Sequence, residues 1–206
     1  MIIEHLGKVP QIHPSAYIAP NATICGDVTI GEGARVLFGA QIIAEGGKID
    51  IGKNCIILEN AVVRSKTQHS TCIGPHTLIG PNAHVVGCTI EESVFIATGA
   101  AIFHGAFLGA RSEVRINGIV HLLTHLPADS LVPIGWVAVG NPAQILPPDQ
   151  HEKIWAIQQP LNFPKTVYGV KRVPQGVSNM PEITERLSNI YGSHKDDTVL
   201  EKFLTS

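Results

Sequence analysis

The side chains best equipped for chemistry in this chain of 206 residues are Arg64 and four histidines that follow it, His69, His76, His84 and His104. An imidazole trio can hold Zn²⁺ with an open position for water, whose pKa then falls toward neutrality. A single neutral imidazole can instead serve as a general base against an alcohol or an amine. None of the four histidines stands two or four residues from another, so no local ligand pair favours a metal. Their plainer role is that of surface or hydrogen-bonded interface residues. Arg64 offers different chemistry. Its guanidinium is a fixed cation and a planar fork that suits a carboxylate, bicarbonate or phosphate, unless Glu45 or Glu59 engages it in an ion pair. His69, His84 and His104 are the candidate catalytic residues, and Arg64 with Glu59 forms the candidate anion site.

The cysteines suggest packing. Cys25, Cys55, Cys72 and Cys88 include no C-x-x-C pair, which argues against a thiolate zinc site and against a need for disulfides. A reducing, cytoplasmic compartment follows from that usage. Net charge is -2 with no Lys/Arg run, which speaks against nucleic acid or an anionic membrane surface as partner. The opening Met1-Ile2-Ile3-Glu4-His5 reads as no signal peptide, and no stretch approaches the ~20 apolar residues of a membrane span.

What must position these side chains is a six-residue rhythm. Ile12, Ile18, Ile24, Ile30, Val36 and Ile42 fall six apart. The beat resumes at Ile51, at Ile73, and from Ile90 through Ile96, Ile102, Leu108 and Val114 to Val120. A small residue usually stands two before the beat, as at Ala22, Ala40, Ala61, Ala83 and Ala100, and Gly often follows it, as at Gly31, Gly52 and Gly74. Neither a helix of period 3.6 nor an ordinary strand of period two explains this. A hexapeptide repeat does: three hexads make one triangular coil, and coils stack into a parallel β-helix. The glycines are expected to relax the turns. The aromatic share of 5 % against 44 % hydrophobic residues fits a narrow prism filled by Ile and Val.

Counting beats by threes predicts which residues stack on the outside. One outward column should read Cys25, Ile43, Arg64, Val86, Phe103, His121, and the column beside it Thr23, Gln41, Val62, His84, Ala101, Ile119. Ile43, Val62, Val86 and Phe103 then form an apolar stripe with Arg64 and His84 inside it. Such a stripe marks a protein contact, here a subunit interface in a homotrimer.

The expected organisation is a hexapeptide-repeat domain over 1–122, an irregular Pro-rich strap over 123–148 and a helical appendage over 149–206. Breaks in the beat place a short bulge at 44–48 and a polar excursion at 64–71. Asp149 and Glu152 resemble a capping box ahead of Ile154, Trp155 and Ile157. A second helix start lies at Asn179-Met180-Pro181-Glu182. The two helices, over 149–159 and 181–192, should be joined by an extended linker and clasp the prism through Trp155, Ile157, Phe163, Tyr168 and Ile190.

The blocks Gly26-Asp27-Val28-Thr29-Ile30-Gly31, Ile73-Gly74, Gly87-Cys88-Thr89-Ile90 and Val139-Gly140-Asn141-Pro142-Ala143 resemble the gamma-class carbonic anhydrases over roughly residues 10 to 146. The resemblance implies a left-handed β-helix, a trimer, and zinc held between subunits by three histidines. At the matching positions this chain has Arg64, Pro81 and Val86, so the resemblance implies loss of the three ligands and of zinc-dependent CO₂ hydration. The family's Gln-Asp pair reads Leu58-Glu59, and its Arg-Gly-Asp reads Ile43-Ala44-Glu45. No cofactor is then firmly implied, although zinc at a relocated histidine site is conceivable. The Gly-Asn-Pro-Ala block is shared with hexapeptide acyltransferases, which resemble the coil pattern and use a histidine base with an acyl-CoA such as acetyl-CoA. A non-catalytic scaffold or assembly subunit is the third reading.

Overall fold

The protein is described by a computed structural model over residues 1–200. It is mainly β, a parallel β-helix with short C-terminal helices. Most strands are only two or three residues long, because each hexad contributes one side of the triangle and then turns. The three sides form one sheet of ten strands and two of seven. Beat residues Ile24, Ile42, Val63, Val85, Ile102 and Val120 stack in register down the long sheet and are 0 % exposed. Each such side chain contributes ~1.5–3 kcal/mol on burial, and the small residues beside them are equally buried.

The corners correct one expectation. The positive-φ residue stands three positions after the beat, as at Asn60 (φ 57°) and Asn82 (φ 56°), where Asn tolerates the left-handed region. The glycine directly after the beat has another task. A Cβ on Gly74 would sit 2.5 Å from the carbonyl carbon of Glu91 in the next coil. Glycine there permits the coils to approach.

Residues 123–139 do not form an irregular strap. The beat continues through Leu126, Val132 and Ala138, all 0 % exposed, and the strands His125–Leu126, Leu131–Val132 and Val137–Val139 extend the three sheets. Pro127 and Pro133 directly follow the last strands of the two seven-stranded sheets, where no further coil awaits the missing N–H. At both ends of the long sheet an antiparallel strand closes the edge. Gln144–Leu146 pairs with Val137–Val139, and Thr198–Val199 returns from the tail to pair with Ile2–Glu4.

Among the described residues the tail holds three α-helices: α1 (His151–Gln158), α2 (Phe163–Tyr168) and α3 (Met180–Tyr191). The sequence pattern missed α2, which starts with Pro164 in its first turn and ends on Gly169 at φ 69°. Gln150 rather than Asp149 is the N-cap of α1, with no side-chain cap bond. Ile154 is the buried anchor of α1, against Val137 and Val139, and Ile183 that of α3. Trp155 and Ile190 were expected to hold the tail but are 36 % and 50 % exposed. Trp155 lies under the Arg172 guanidinium, 5.3 Å from its ring centre. Among the described residues no helix is long and apolar enough to cross a membrane.

Candidate functional site beneath the C-terminal tail

The predicted outer columns form as expected on the long sheet. Cys25, Ile43, Arg64 and Val86 stand side by side in register, and His84 lies between Val62 and Ala101 in the neighbouring column. The two insertions also stack: the strands Gln41–Glu45 and Val62–Lys66 run on together until Lys66 pairs with Glu45. Lys66 and His69 then close a tight loop. This extension lifts Glu45, Lys66 and His69 above the prism surface. Buried Thr71 accepts the Gly87 N–H at 2.9 Å and donates to the Arg64 carbonyl, which ties the excursion back to the coil.

Arg64 is engaged by its own chain. Its Nη2 donates to Glu45 Oε1 at 2.8 Å, and Tyr191 of α3 lies 5.6 Å from the guanidinium carbon. Glu45 has a side-chain exposure of 6 %, so this is a largely desolvated pair. Glu59 makes no side-chain hydrogen bond to Arg64 among the described residues; it stands at a corner, where its carbonyl accepts the Asn82 N–H.

The candidate histidines divide. His69 and His104 meet edge to face with ring centres 5.6 Å apart. Gly87 makes that meeting possible, since a Cβ there would lie 2.6 Å from the His69 Cβ and 3.3 Å from the His104 ring. His104 is buried, and neither ring nitrogen has a hydrogen-bond partner among the described residues. Burial, then the charges of Lys66, His69, His84 and Arg64, push its pKa down to about 4. Desolvation lowers His69 as well, with Lys66 adding to the effect. His84 is shifted down by desolvation and by Arg64. His76 takes no part, because it occupies a corner at φ 58°.

A cavity of about 260 Å³ opens between the excursion and helices α2 and α3. Its wall carries Lys66, Lys165 and Arg186 against Glu45, with His69 and Tyr191 at the same rim. Lys66 lies 4.9 Å from the Tyr168 ring centre, and burial lowers its pKa. Arg186 Nη1 donates to the Tyr168 carbonyl at 2.8 Å. The cavity is lined by more cations than anions and suits an anionic guest.

The tail packs on part of the stripe that the sequence assigned to a subunit contact, at Phe103 and Arg64. Phe163 of α2 lies 6.3 Å from Phe103 and 6.4 Å from His121 between ring centres. Val86 is 5 % exposed, and Ile43, Val62 and Phe103 are half-buried.

One group escaped the sequence reading. His5, Cys25, His194 and Asp197 bring a ligand atom each within 4.8 Å of one another and could hold a metal ion. Cys25 therefore has a polar setting that a packing role does not describe. Its thiol is pushed up to about 12, first by burial and then by the charges of Asp197 and Glu45. No motif announces this cluster, since its members come from opposite ends of the chain.

Comparison with known proteins supports the resemblance carried by the repeat blocks. The mitochondrial gamma carbonic anhydrase 1 of Arabidopsis thaliana is 31% identical over 158 residues, covering 74% of this chain and 55% of that protein. Gamma carbonic anhydrase 2 of the same plant is 30% identical over the same extent. The homologues of this chain thus include gamma carbonic anhydrases at about 30% identity. The chain spans about half the length of these relatives. Beside the gamma carbonic anhydrases stands the carnitine operon protein CaiE of Escherichia coli, 27% identical over 114 residues, 55% of this chain and 58% of that one. No protein-family model matches. Among solved structures, a putative acetyltransferase from Bacillus cereus superposes with a TM-score of 0.45 at 23% identity, covering 78% of this chain and 91% of that one. A hexapeptide transferase family protein from Anaplasma phagocytophilum has a TM-score of 0.40 at 22% identity, over 93% and 97%.

Proposed function

We propose that this chain is a gamma-carbonic-anhydrase-like protein without zinc-dependent CO₂ hydration, which instead binds a small anionic ligand in the cavity between the excursion and the tail. One observation carries the first half. Arg64 and Val86, which match two of the family's ligand positions, are paired neighbours on the long sheet. Val86 has no donor atom, Arg64 stays protonated and is engaged by Glu45, and Pro81 at the third position also lacks a ligand atom. Zinc therefore does not fit this set of residues. Lys66, Lys165 and Arg186 support the second half. Because Arg64 already has a carboxylate partner, the anion site moves from Arg64 and Glu59 to these three cations. Stopped-flow CO₂ hydration with added zinc is the test, and a chelator-sensitive rate well above buffer would overturn the reading.

The homotrimer rests on a different face. In the third sheet Ile56, Leu78 and Phe95 stack in register on the outside, and Phe95 is 39 % exposed. Pro81 follows the same strand, Leu78–Ile79, at the corner. An uncovered apolar row of this kind suits a second copy of the chain better than the partly tail-covered stripe does.

The second reading, an acyltransferase, is favoured by the His69–His104 pair. His69 lines the cavity and packs edge to face on a neutral His104 whose nitrogens have no partner among the described residues, so either imidazole could serve as a general base. Consumption of acetyl-CoA that depends on His69 would favour it over simple anion binding.

A further inference from the structure

We propose that His5, Cys25, His194 and Asp197 form a zinc site that pins the tail to the first coils of the prism. The site is separate from the positions of Arg64, Pro81 and Val86, and it needs no second subunit.

The donor atoms converge as a metal set would. His5 Nδ1 is 2.6 Å from Asp197 Oδ1, His194 Nδ1 is 2.8 Å from Asp197 Oδ2, and Cys25 Sγ is 4.0 Å from the same Oδ2. The two imidazoles stack with centres 4.3 Å apart, and both turn Nδ1 to the one Asp197 carboxylate. Two imidazoles, one thiolate and one carboxylate suit tetrahedral Zn²⁺, whereas hard cations such as Mg²⁺ and Ca²⁺ avoid thiolate. All four ligands come from protein, and His5 and Cys25 are each 2 % exposed. Such a closed set describes a structural rather than a catalytic zinc.

A second shell points the same way. His194 turns its Nε2 to Glu45 Oε1 at 3.2 Å, while its Nδ1 faces the cluster. An imidazole held from behind by a carboxylate is the usual support of a metal-bound histidine, since it fixes both tautomer and ring orientation. Glu45 is itself oriented by Arg64. The chain of contacts runs from Arg64 through Glu45 to His194.

The placement also supplies a purpose. His5 and Cys25 belong to the first coils, whereas His194 and Asp197 follow α3 in the tail. Thr198–Val199 then pairs with Ile2–Glu4 directly beyond the cluster. Metal binding would make docking of α3, and closure of the cavity under it, dependent on zinc. Without metal, the rival account is a carboxylate of Asp197 bridging two imidazole N–H groups.

Metal analysis of tag-free protein, dialysed after purification, separates the two. About one zinc per chain is expected, with at least a tenfold loss in Cys25→Ser. Glu45→Gln should weaken zinc affinity roughly 10–100-fold. Cobalt-loaded protein should show a thiolate-to-cobalt charge-transfer band that persists in Cys72→Ser, the variant that removes the exposed cysteine and keeps the fold if Cys25→Ser does not. Protein that takes up no zinc and shows no cobalt band would overturn the proposal. So would a metal whose thiolate band survives in Cys25→Ser.

Discussion

Arg64 reaches across two neighbouring strands to Glu45, with 2.8 Å between Nη2 and Oε1. The pair sits on the face that the tail packs against: Tyr191 lies on the guanidinium and His194 on the carboxylate. Removing the cation leaves Glu45 desolvated without its charged donor. Arg64→Met should therefore destabilise the protein by about 1–3 kcal/mol, read as a fall in the urea midpoint at unchanged slope. An unaltered midpoint would show that Arg64 is not held by Glu45 in solution.

The tail should prove a clasp. A chain ending at Pro148 loses the partners of Val137, Val139 and Phe103. Each large apolar side chain re-exposed costs ~1.5–3 kcal/mol, so the melting temperature should drop while circular dichroism still reports the coils. A truncated chain that melts like the whole one would assign the tail to partner binding.

Acid should weaken the fold through His104. In the unfolded chain it titrates near the ordinary ~6.5 of histidine, and in the fold at about 4. Between these values the unfolded chain holds the extra proton, so stability present above pH 6.5 is lost as pH falls toward 4 and changes no further below. His69 and His84 act in the same direction, whereas His194, whose pKa is raised by Asp197, acts in the opposite one. His104→Phe should flatten the stability curve across this window, measured by denaturation at several pH values.

Gly87 should resist substitution. At φ 58° any other residue pays a left-handed penalty of ~1–2 kcal/mol, and the new Cβ meets His69 at 2.6 Å. Gly87→Ala is expected to lose more stability than that penalty alone and to disturb the His69–His104 contact. Imidazole resonances of both rings would shift together in an NMR spectrum.

Phe95 tests the assembly. Light scattering should give a mass near three times 22.1 kDa, and Phe95→Glu should split the particle by placing unpaired charge in the contact. A Phe95→Glu protein of unchanged mass would move the interface elsewhere.

The sequence by itself determined the prism. A six-residue beat leaves each aliphatic side chain one direction to point, so the order Cys25, Ile43, Arg64, Val86 on the outside followed from counting alone. Even the coil over 123–139 was present in the beats Leu126, Val132 and Ala138, though prolines after its strands disguised it as a strap. The tail was legible only as helical patches. Its helices are too short to be stable alone, and which of their residues turn inward depends on the surface they meet; hence Ile154 and Ile183 anchor them while Trp155 and Ile190 stay exposed. Only the tertiary structure decided the sites. His69 and His104 meet because Gly87 leaves room between stacked coils, and Arg64 finds Glu45 because two insertions lie one upon the other. His5, Cys25, His194 and Asp197 converge because the chain's last described strand returns to its first. A periodic sequence encodes neighbours at fixed spacing, but contacts between insertions and termini follow no period, and for these the folded chain alone sets the distance.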